Sequence, residues 1–283
     1  ETCASIGVMM FGQRMAAITG DASYYDYVEK ALYNTVIAGI NIAGDRYFYV
    51  NPLEVVPEFC TEHTYMEHVK PVRQKWFGVA CCPPNVGRTL ASLGQYIYAG
   101  NDEAVYINQF ISSTADTEVQ ESRMKIKMNS TLLQDGKVQL EVQSSGPGNL
   151  NIRIPWYSEK CECIQNGISI EIQPEKGYQK LSLSPGDTHI SLDFHVIPRW
   201  MGANDSVRAD AGKAALMKGP LVYCLEEKEN GRYLSQIFIE ENTSIEETAP
   251  AEELVGNVPT LSYKGIRVRN KGAAGENQLY GSV

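Results

Sequence analysis

The sequence predicts a multidomain α and β chain, in which the end of a helical domain comes first and antiparallel β-sandwich domains follow. Three observations predict it. Apolar residues recur at helical spacing until about residue 98, then give way to alternating segments separated by turn signals. A second break falls at Ile197-Pro198-Arg199-Trp200, after which β-rich sequence begins again. A length of 283 residues is also more than one domain usually needs. The expected domains are 1–100, 101–200 and 201–283, the last short enough to be incomplete.

The helices come first. From Ala4 to Ile18, the residues Ile6, Met9, Met10, Phe11, Met15 and Ile18 form a helical pattern that Gly20-Asp21 ends. Asp21 or Ser23 caps a second helix, Tyr24 to about Gly39, with Tyr27, Val28, Ala31, Leu32 and Val36 on one face. Tyr47-Phe48-Tyr49-Val50 is short and extended, and Asn51-Pro52 ends it. Glu54 to Lys75 reads as a long polar loop, a kind of segment more often functional than idle. A third helix runs from about Pro84 to Tyr98, with proline in its first turn. Three helices make a poor core alone, so this region reads as the last part of a larger helical domain.

The strands follow. Ala104–Phe110, Glu118–Met128, Val138–Ser144, Leu150–Ile154, Ile168–Ile172, Tyr178–Leu183 and His189–Phe194 alternate or are rich in β-formers. Gln134-Asp135-Gly136, Gly146-Pro147-Gly148, Asn166-Gly167 and Pro185-Gly186-Asp187 separate them as turns. Ala214–Met217, Leu221–Leu225 and Gln236–Glu240 open the third unit.

Composition excludes some functions. A formal net charge of −9 and the lack of any long basic run speak against a nucleic-acid partner. No apolar run reaches the roughly 18 residues of a membrane span. The chain opens on Glu1 without an initiator Met, at residues that already enter a helix. It reads as a piece of a longer polypeptide, so the absence of a signal peptide decides little. Seven scattered cysteines are an odd set for a disulfide framework and point to a reducing compartment. The expected location is cytoplasmic, with the periplasm as the alternative. Sixteen tyrosines and three tryptophans suit a carbohydrate site and, more commonly, a β-sandwich core.

The chemistry concentrates at the thiols. Cys81 and Cys82 are adjacent, and Pro83-Pro84 stiffens the turn behind them. Glu1 and Cys3, two residues apart, supply one carboxylate and a third thiol. Three sulfurs and one oxygen suffice for a tetrahedral zinc site with Glu1, Cys3, Cys81 and Cys82 as ligands. Bound zinc removes the thiol proton, which keeps sulfur anionic without a histidine base. The residues alone leave two other readings open: small buried apolar side chains, and a disulfide between neighbours. Glu29 lies amid an apolar helical face, either turned inward to hydrogen-bond a sugar hydroxyl or a catalytic partner, or exposed and paired with a neighbouring lysine. Tyr49 and Asn51 stand at a strand end, where side chains line pockets or simply pack. His63, His68, His189 and His195 read as surface residues. Cys161 and Cys163 share one strand face and read as buried thiols.

These segments together resemble the β-L-arabinofuranosidase family of glycoside hydrolases, family 127 and its relative family 146. The carrying residues are Glu1-Thr2-Cys3-Ala4-Ser5, Glu29-Lys30-Ala31-Leu32-Tyr33-Asn34, Phe48-Tyr49-Val50-Asn51-Pro52-Leu53 and Ala80-Cys81-Cys82-Pro83-Pro84-Asn85, followed by Ala91-Ser92-Leu93-Gly94. Val207-Arg208-Ala209-Asp210-Ala211-Gly212 and Gly219-Pro220-Leu221-Val222-Tyr223-Cys224-Leu225 extend the likeness. The resemblance implies the C-terminal part of an (α/α)6 barrel followed by β-sandwich domains. It implies zinc held by Glu1, Cys3, Cys81 and Cys82, with Cys81 as the nucleophile of a retaining hydrolase. It implies that Glu29 and Tyr49 contact a terminal β-L-arabinofuranose on an oligosaccharide or glycopeptide, and that copies pair through their sandwich domains. The family's general acid/base is a glutamate upstream of Glu-Thr-Cys, so this chain alone is expected to be inactive and to expose apolar helix faces. The competing expectation is a non-catalytic carbohydrate-binding or scaffold module with structural cysteines.

Overall fold

The computed structural model describes residues 1–119, 121–240, 243–250, 257–269 and 281–282. The chain forms two compact units, Glu1–Ile197 with Gly219–Leu221, and Pro198–Lys218 with Val222–Val283.

Helix α1 spans Thr2–Thr19. The Glu1 carboxylate starts it by accepting the backbone N–H groups of Cys3 (2.9 Å) and Ala4 (2.6 Å), which satisfies two of the free amides at a helix start. Gly20, at φ 69°, ends it and donates to the Ala16 carbonyl. Lys176 Nζ bonds the Thr19 carbonyl at 2.9 Å, a cation at the negative end of the helix. Ile6, Met9 and Ala16 of α1 pack on Tyr25, Val28, Leu32, Val36, Val86 and Tyr96. Gly12 permits the close approach, because a Cβ there would lie 2.9 Å from Val28 Cγ2 and 3.0 Å from the Tyr24 carbonyl oxygen.

The second helix differs from expectation. Helix α2 runs only over Ser23–Ala31, and Leu32–Ile37 continues it as a π-helix. Asn34 supplies the reason. Its side-chain amide donates to the Lys30 carbonyl at 2.9 Å, an acceptor that the Asn34 backbone amide takes in a regular α-helix. Helix α3 covers Cys82–Ala91 with Pro83 and Pro84 in its first turn. It stops at Ser92, whose hydroxyl bonds the Arg88 carbonyl, and a separate turn at Gly94–Ile97 follows. The third helix is therefore shorter than its apolar period suggested.

Ten strands follow among the described residues of this unit: β1 Tyr98–Gly100, β2 Val105–Ile107, β3 Ser113–Val119, β4 Ser122–Thr131, β5 Lys137–Ser144, β6 Gly148–Arg153, β7 Glu162–Gln165, β8 Ile168–Ile170, β9 Tyr178–Leu183 and β10 Gly186–Asp193. They form a four-stranded sheet ordered β1-β2-β6-β9 and a six-stranded sheet ordered β3-β4-β5-β10-β7-β8. Ile107, Met124, Ile126, Leu140, Leu150, Ile152, Leu181 and Ile190 from both sheets share one core, with Phe110 and Phe194 packed in from beyond the strand ends. Polar residues alternate outward along β4 and β5.

Two details depart from the expected strands. Glu118–Met128 is a hairpin rather than one strand, turning at Glu121, which sits at φ 65°; Gln120 lies outside the described residues. One pairing is parallel, β2 with β6, with Val105 opposite Leu150. The chain between them passes through the other sheet, which supplies the crossover that a parallel pair requires.

Gly177 joins the helices to the β region. It sits at φ 81°, and a Cβ there would lie 2.8 Å from that of Ala22, whose amide bonds the Lys176 carbonyl. Gly177→Ala combines backbone strain with overpacking, and the expected loss is about 1–3 kcal/mol of stability. Urea unfolding followed by circular dichroism measures it.

Beyond Ile197, β11 Pro198–Gly202, β12 Ala214–Lys218 and β13 Leu221–Tyr223 form one sheet. Smaller pairings join β14 Ile237–Phe238, β17 Ile266–Arg269 and β18 Gly281–Ser282, and β15 Ile245–Thr248 with β16 Thr260–Tyr263. The Trp200 and Tyr263 rings meet edge to face at 4.8 Å, and the Trp200 indole bonds the Thr243 carbonyl. No helix among the described residues is long and apolar enough to cross a membrane.

Candidate metal centre

Two helix starts converge here. Glu1 caps α1 and Cys3 lies in its first turn, while Cys81 precedes α3 and Cys82 is its first residue. The ligand atoms of Glu1, Cys3, Cys81 and Cys82 all lie within 4.8 Å of one another. Cys81 Sγ and Cys82 Sγ are 4.0 Å apart, and Cys82 Sγ is 3.9 Å from Glu1 Oε1. A tetrahedral ion with zinc–sulfur bonds of about 2.3 Å has sulfur–sulfur edges of about 3.7 Å. The donor set thus matches a four-coordinate metal in number, chemistry and spacing. The positive ends of α1 and α3 further favour anionic sulfur.

A disulfide between the neighbours does not fit a 4.0 Å separation, and neither Cys81 nor Cys82 is bridged. Nor are the thiols uniform. Cys82 is 1% exposed, Cys3 is half-buried and Cys81 faces solvent. An exposed Cys81 is a poor core residue.

Electrostatics separate them further. Burial, and then the neighbouring sulfurs of Cys3 and Cys81, push Cys82 up to about 12. Burial also raises Cys3, against a hydrogen bond from Asn85. Cys81 is held below the usual thiol range by hydrogen bonds to Cys3 and then to Tyr49. Burial opposes ionisation of Glu1, yet the Cys3 and Ala4 amides hold its carboxyl below the usual carboxylate value.

Tyr49 belongs to this cluster. Its hydroxyl lies 3.6 Å from Cys81 Sγ. The Thr2 amide donates to the Tyr49 carbonyl at 3.1 Å, and the Thr2 hydroxyl to that of Phe48 at 3.2 Å, so the start of α1 fixes this segment. Phe77 packs on the Tyr49 ring with centroids 5.8 Å apart. The sequence offered no signal for Phe77, because its role depends on a loop returning to the 47–49 segment through the Tyr47–Gln74 bridge.

Glu29 is not brought to the thiols. It is 1% exposed, and its Oε1 pairs with Arg153 Nη2 at 2.8 Å. The Arg153 guanidinium, fully buried at the end of β6, also bonds Asp26 Oδ1 (2.6 Å) and the Asn108 carbonyl (2.6 Å). Tyr157 donates to Glu29 Oε1 at 3.4 Å. Burial raises the carboxyls of Glu29 and Asp26, against the pull of the guanidinium. Glu29 thus points inward, as one of its two expected environments required, but its partner is an arginine from the β region.

The four histidines are exposed and stand outside the donor set. Cys163 is buried, and Cys161 is half-buried.

Comparison with known proteins adds the family context. The family profile for the β-L-arabinofuranosidase GH127 catalytic domain matches residues 1–95. Those for the GH127 middle and C-terminal domains match 104–196 and 198–272. A non-reducing end β-L-arabinofuranosidase of Bifidobacterium longum subsp. longum is 34% identical across 94% of this chain and 42% of its own length. A crystal structure of a GH127 β-L-arabinofuranosidase from Geobacillus stearothermophilus T6 is similar over the whole chain, with a TM-score of 0.93, 36% identity and 46% of its own length covered. A second GH127 β-arabinofuranosidase structure gives a TM-score of 0.85 and 28% identity over 95% of this chain and 43% of that one. The chain spans under half the length of these relatives.

Proposed function

The chain belongs to glycoside hydrolase family 127, and we propose that, within a longer polypeptide, it forms the thiol side of a retaining β-L-arabinofuranosidase. The four-donor group at the paired helix starts carries this reading. Glu1, Cys3, Cys81 and Cys82 would hold zinc, which keeps coordinated sulfur deprotonated at neutral pH. Residues 1–100 would close an (α/α)6 barrel, with sandwich domains at 101–200 and 201–283.

Cys81 is the nucleophile in this reading, because it alone of the three thiols faces solvent. Its Sγ attacks the anomeric carbon of a terminal arabinofuranose. The sulfur–carbon bond forms as the glycosidic carbon–oxygen bond breaks, and the departing oxygen takes its proton from an acid outside this chain. Water then attacks the same carbon and gives its proton to the conjugate base of that acid, the electron pair of the sulfur–carbon bond returns to Sγ, and two inversions give retention. A thiolate replaces the nucleophilic carboxylate of the usual retaining pair. Tyr49, beside Cys81, is placed to meet the sugar. Glu29 enters only as part of the frame that holds α2, since its carboxylate is buried against Arg153.

Metal analysis tests this. The full-length protein is expected to carry about one zinc per chain at this four-ligand site. Chelation should abolish hydrolysis of an aryl β-L-arabinofuranoside and added zinc should restore it. Glu1→Gln and Cys82→Ser should weaken retention of the metal. Full activity in metal-free protein would overturn the zinc reading, and no activity in zinc-loaded protein would favour a non-catalytic module whose cysteines are structural.

A further inference from the structure

Three sulfurs share the donor group, and the proposed chemistry needs one of them set apart. Exposure distinguishes Cys81, and so does a phenol. The Tyr49 hydroxyl lies 3.6 Å from Cys81 Sγ, within hydrogen-bond reach of sulfur. A sulfur held by a metal has no proton to give, so in the zinc-bound site the phenol would be the donor and Cys81 Sγ the acceptor. The phenol is not free to swing. Thr2 fixes its backbone, and the Tyr49 ring leans on Phe77, which leans in turn on the buried Tyr47 at 5.1 Å.

We propose that Tyr49, held by Phe77, is a positioning residue that donates its hydroxyl hydrogen bond to the Cys81 thiolate and so sets that sulfur apart as the leaving group of the second step. The inference rests on Cys81 being the nucleophile. The hydrogen bond lowers the resting reactivity of that sulfur and stabilises it as the leaving group of the second step. There the sulfur–carbon pair returns to Sγ, the attacking water loses its proton to the general base, and the Tyr49 proton stays on its own oxygen. This differs from a sugar contact, whose loss raises KM without changing the sulfur.

The test uses the zinc-loaded full-length protein and its Tyr49→Phe variant. Without substrate, iodoacetamide should alkylate Cys81 about tenfold faster in the variant, the scale of one lost hydrogen bond to a charged group. Zinc content should be unchanged. During turnover, the sugar adduct on Cys81 should accumulate in the variant, because the thiolate leaves more slowly. Phe77→Leu, which keeps the phenol but loosens it, should shift both readouts the same way and by less. Alkylation within twofold of the parent in both variants overturns the inference, and so does faster alkylation that merely tracks zinc loss. If the parent itself never forms an adduct on Cys81, the nucleophile reading fails and this inference falls with it.

Discussion

Cys81→Ala in the full-length protein should lower kcat by at least about a thousandfold, a barrier increase of about 4 kcal/mol. The expectation follows from removing the only solvent-facing sulfur of the donor group. Glu1, Cys3 and Cys82 remain, so the fold should persist and metal should be bound more weakly rather than lost. Circular dichroism and metal content taken with the rate distinguish this outcome from simple unfolding. Loss of stability with little loss of turnover would instead make the cysteines structural.

Arg153→Met should be the most damaging single change to stability outside the metal centre, costing about 3–5 kcal/mol. The guanidinium, itself fully buried, holds the largely buried Asp26 and the fully buried Glu29 at 2.6 and 2.8 Å, and its loss leaves both carboxylates without their cation. Adding Glu29→Gln should recover part of the loss, because one stranded charge is then neutral. The pH dependence has a definite sign. Burial already raises both carboxyls in the folded protein above their ordinary values of 3.8 and 4.5, and removing Arg153 raises them further. A carboxyl raised on folding is best tolerated when protonated. The damage should therefore be smallest below about pH 4 and grow as pH rises through the folded-state values. Urea unfolding at several pH values measures both effects.

Much of this was legible in the sequence, for particular reasons. The thiol group could be assembled because Glu1 with Cys3, and Cys81 with Cys82, are local pairs, so only one long-range juxtaposition had to be supplied. The family resemblance supplied it. Helix α1 was legible because apolar residues recur at helical spacing and Gly20 ends it, although Phe11 and Ile18 of that pattern are exposed. The π-helix was hidden because it depends on the Asn34 side chain taking a backbone acceptor. The β3–β4 turn was hidden because Glu121 adopts positive φ without a glycine or asparagine to announce it. The environment of Glu29 was legible only in part. Its helix face allowed an inward and an exposed position alike, and the partner that decides between them, Arg153, lies in β6, over a hundred positions along the chain.

The most direct measurement is a peptide map of the full-length protein stalled during turnover with an activated, slowly released β-L-arabinofuranoside. A pentose mass on the peptide containing Cys81, absent in Cys81→Ala, is the predicted result. A pentose on a carboxylate, or no adduct together with inversion at the anomeric carbon, would contradict a thiolate nucleophile.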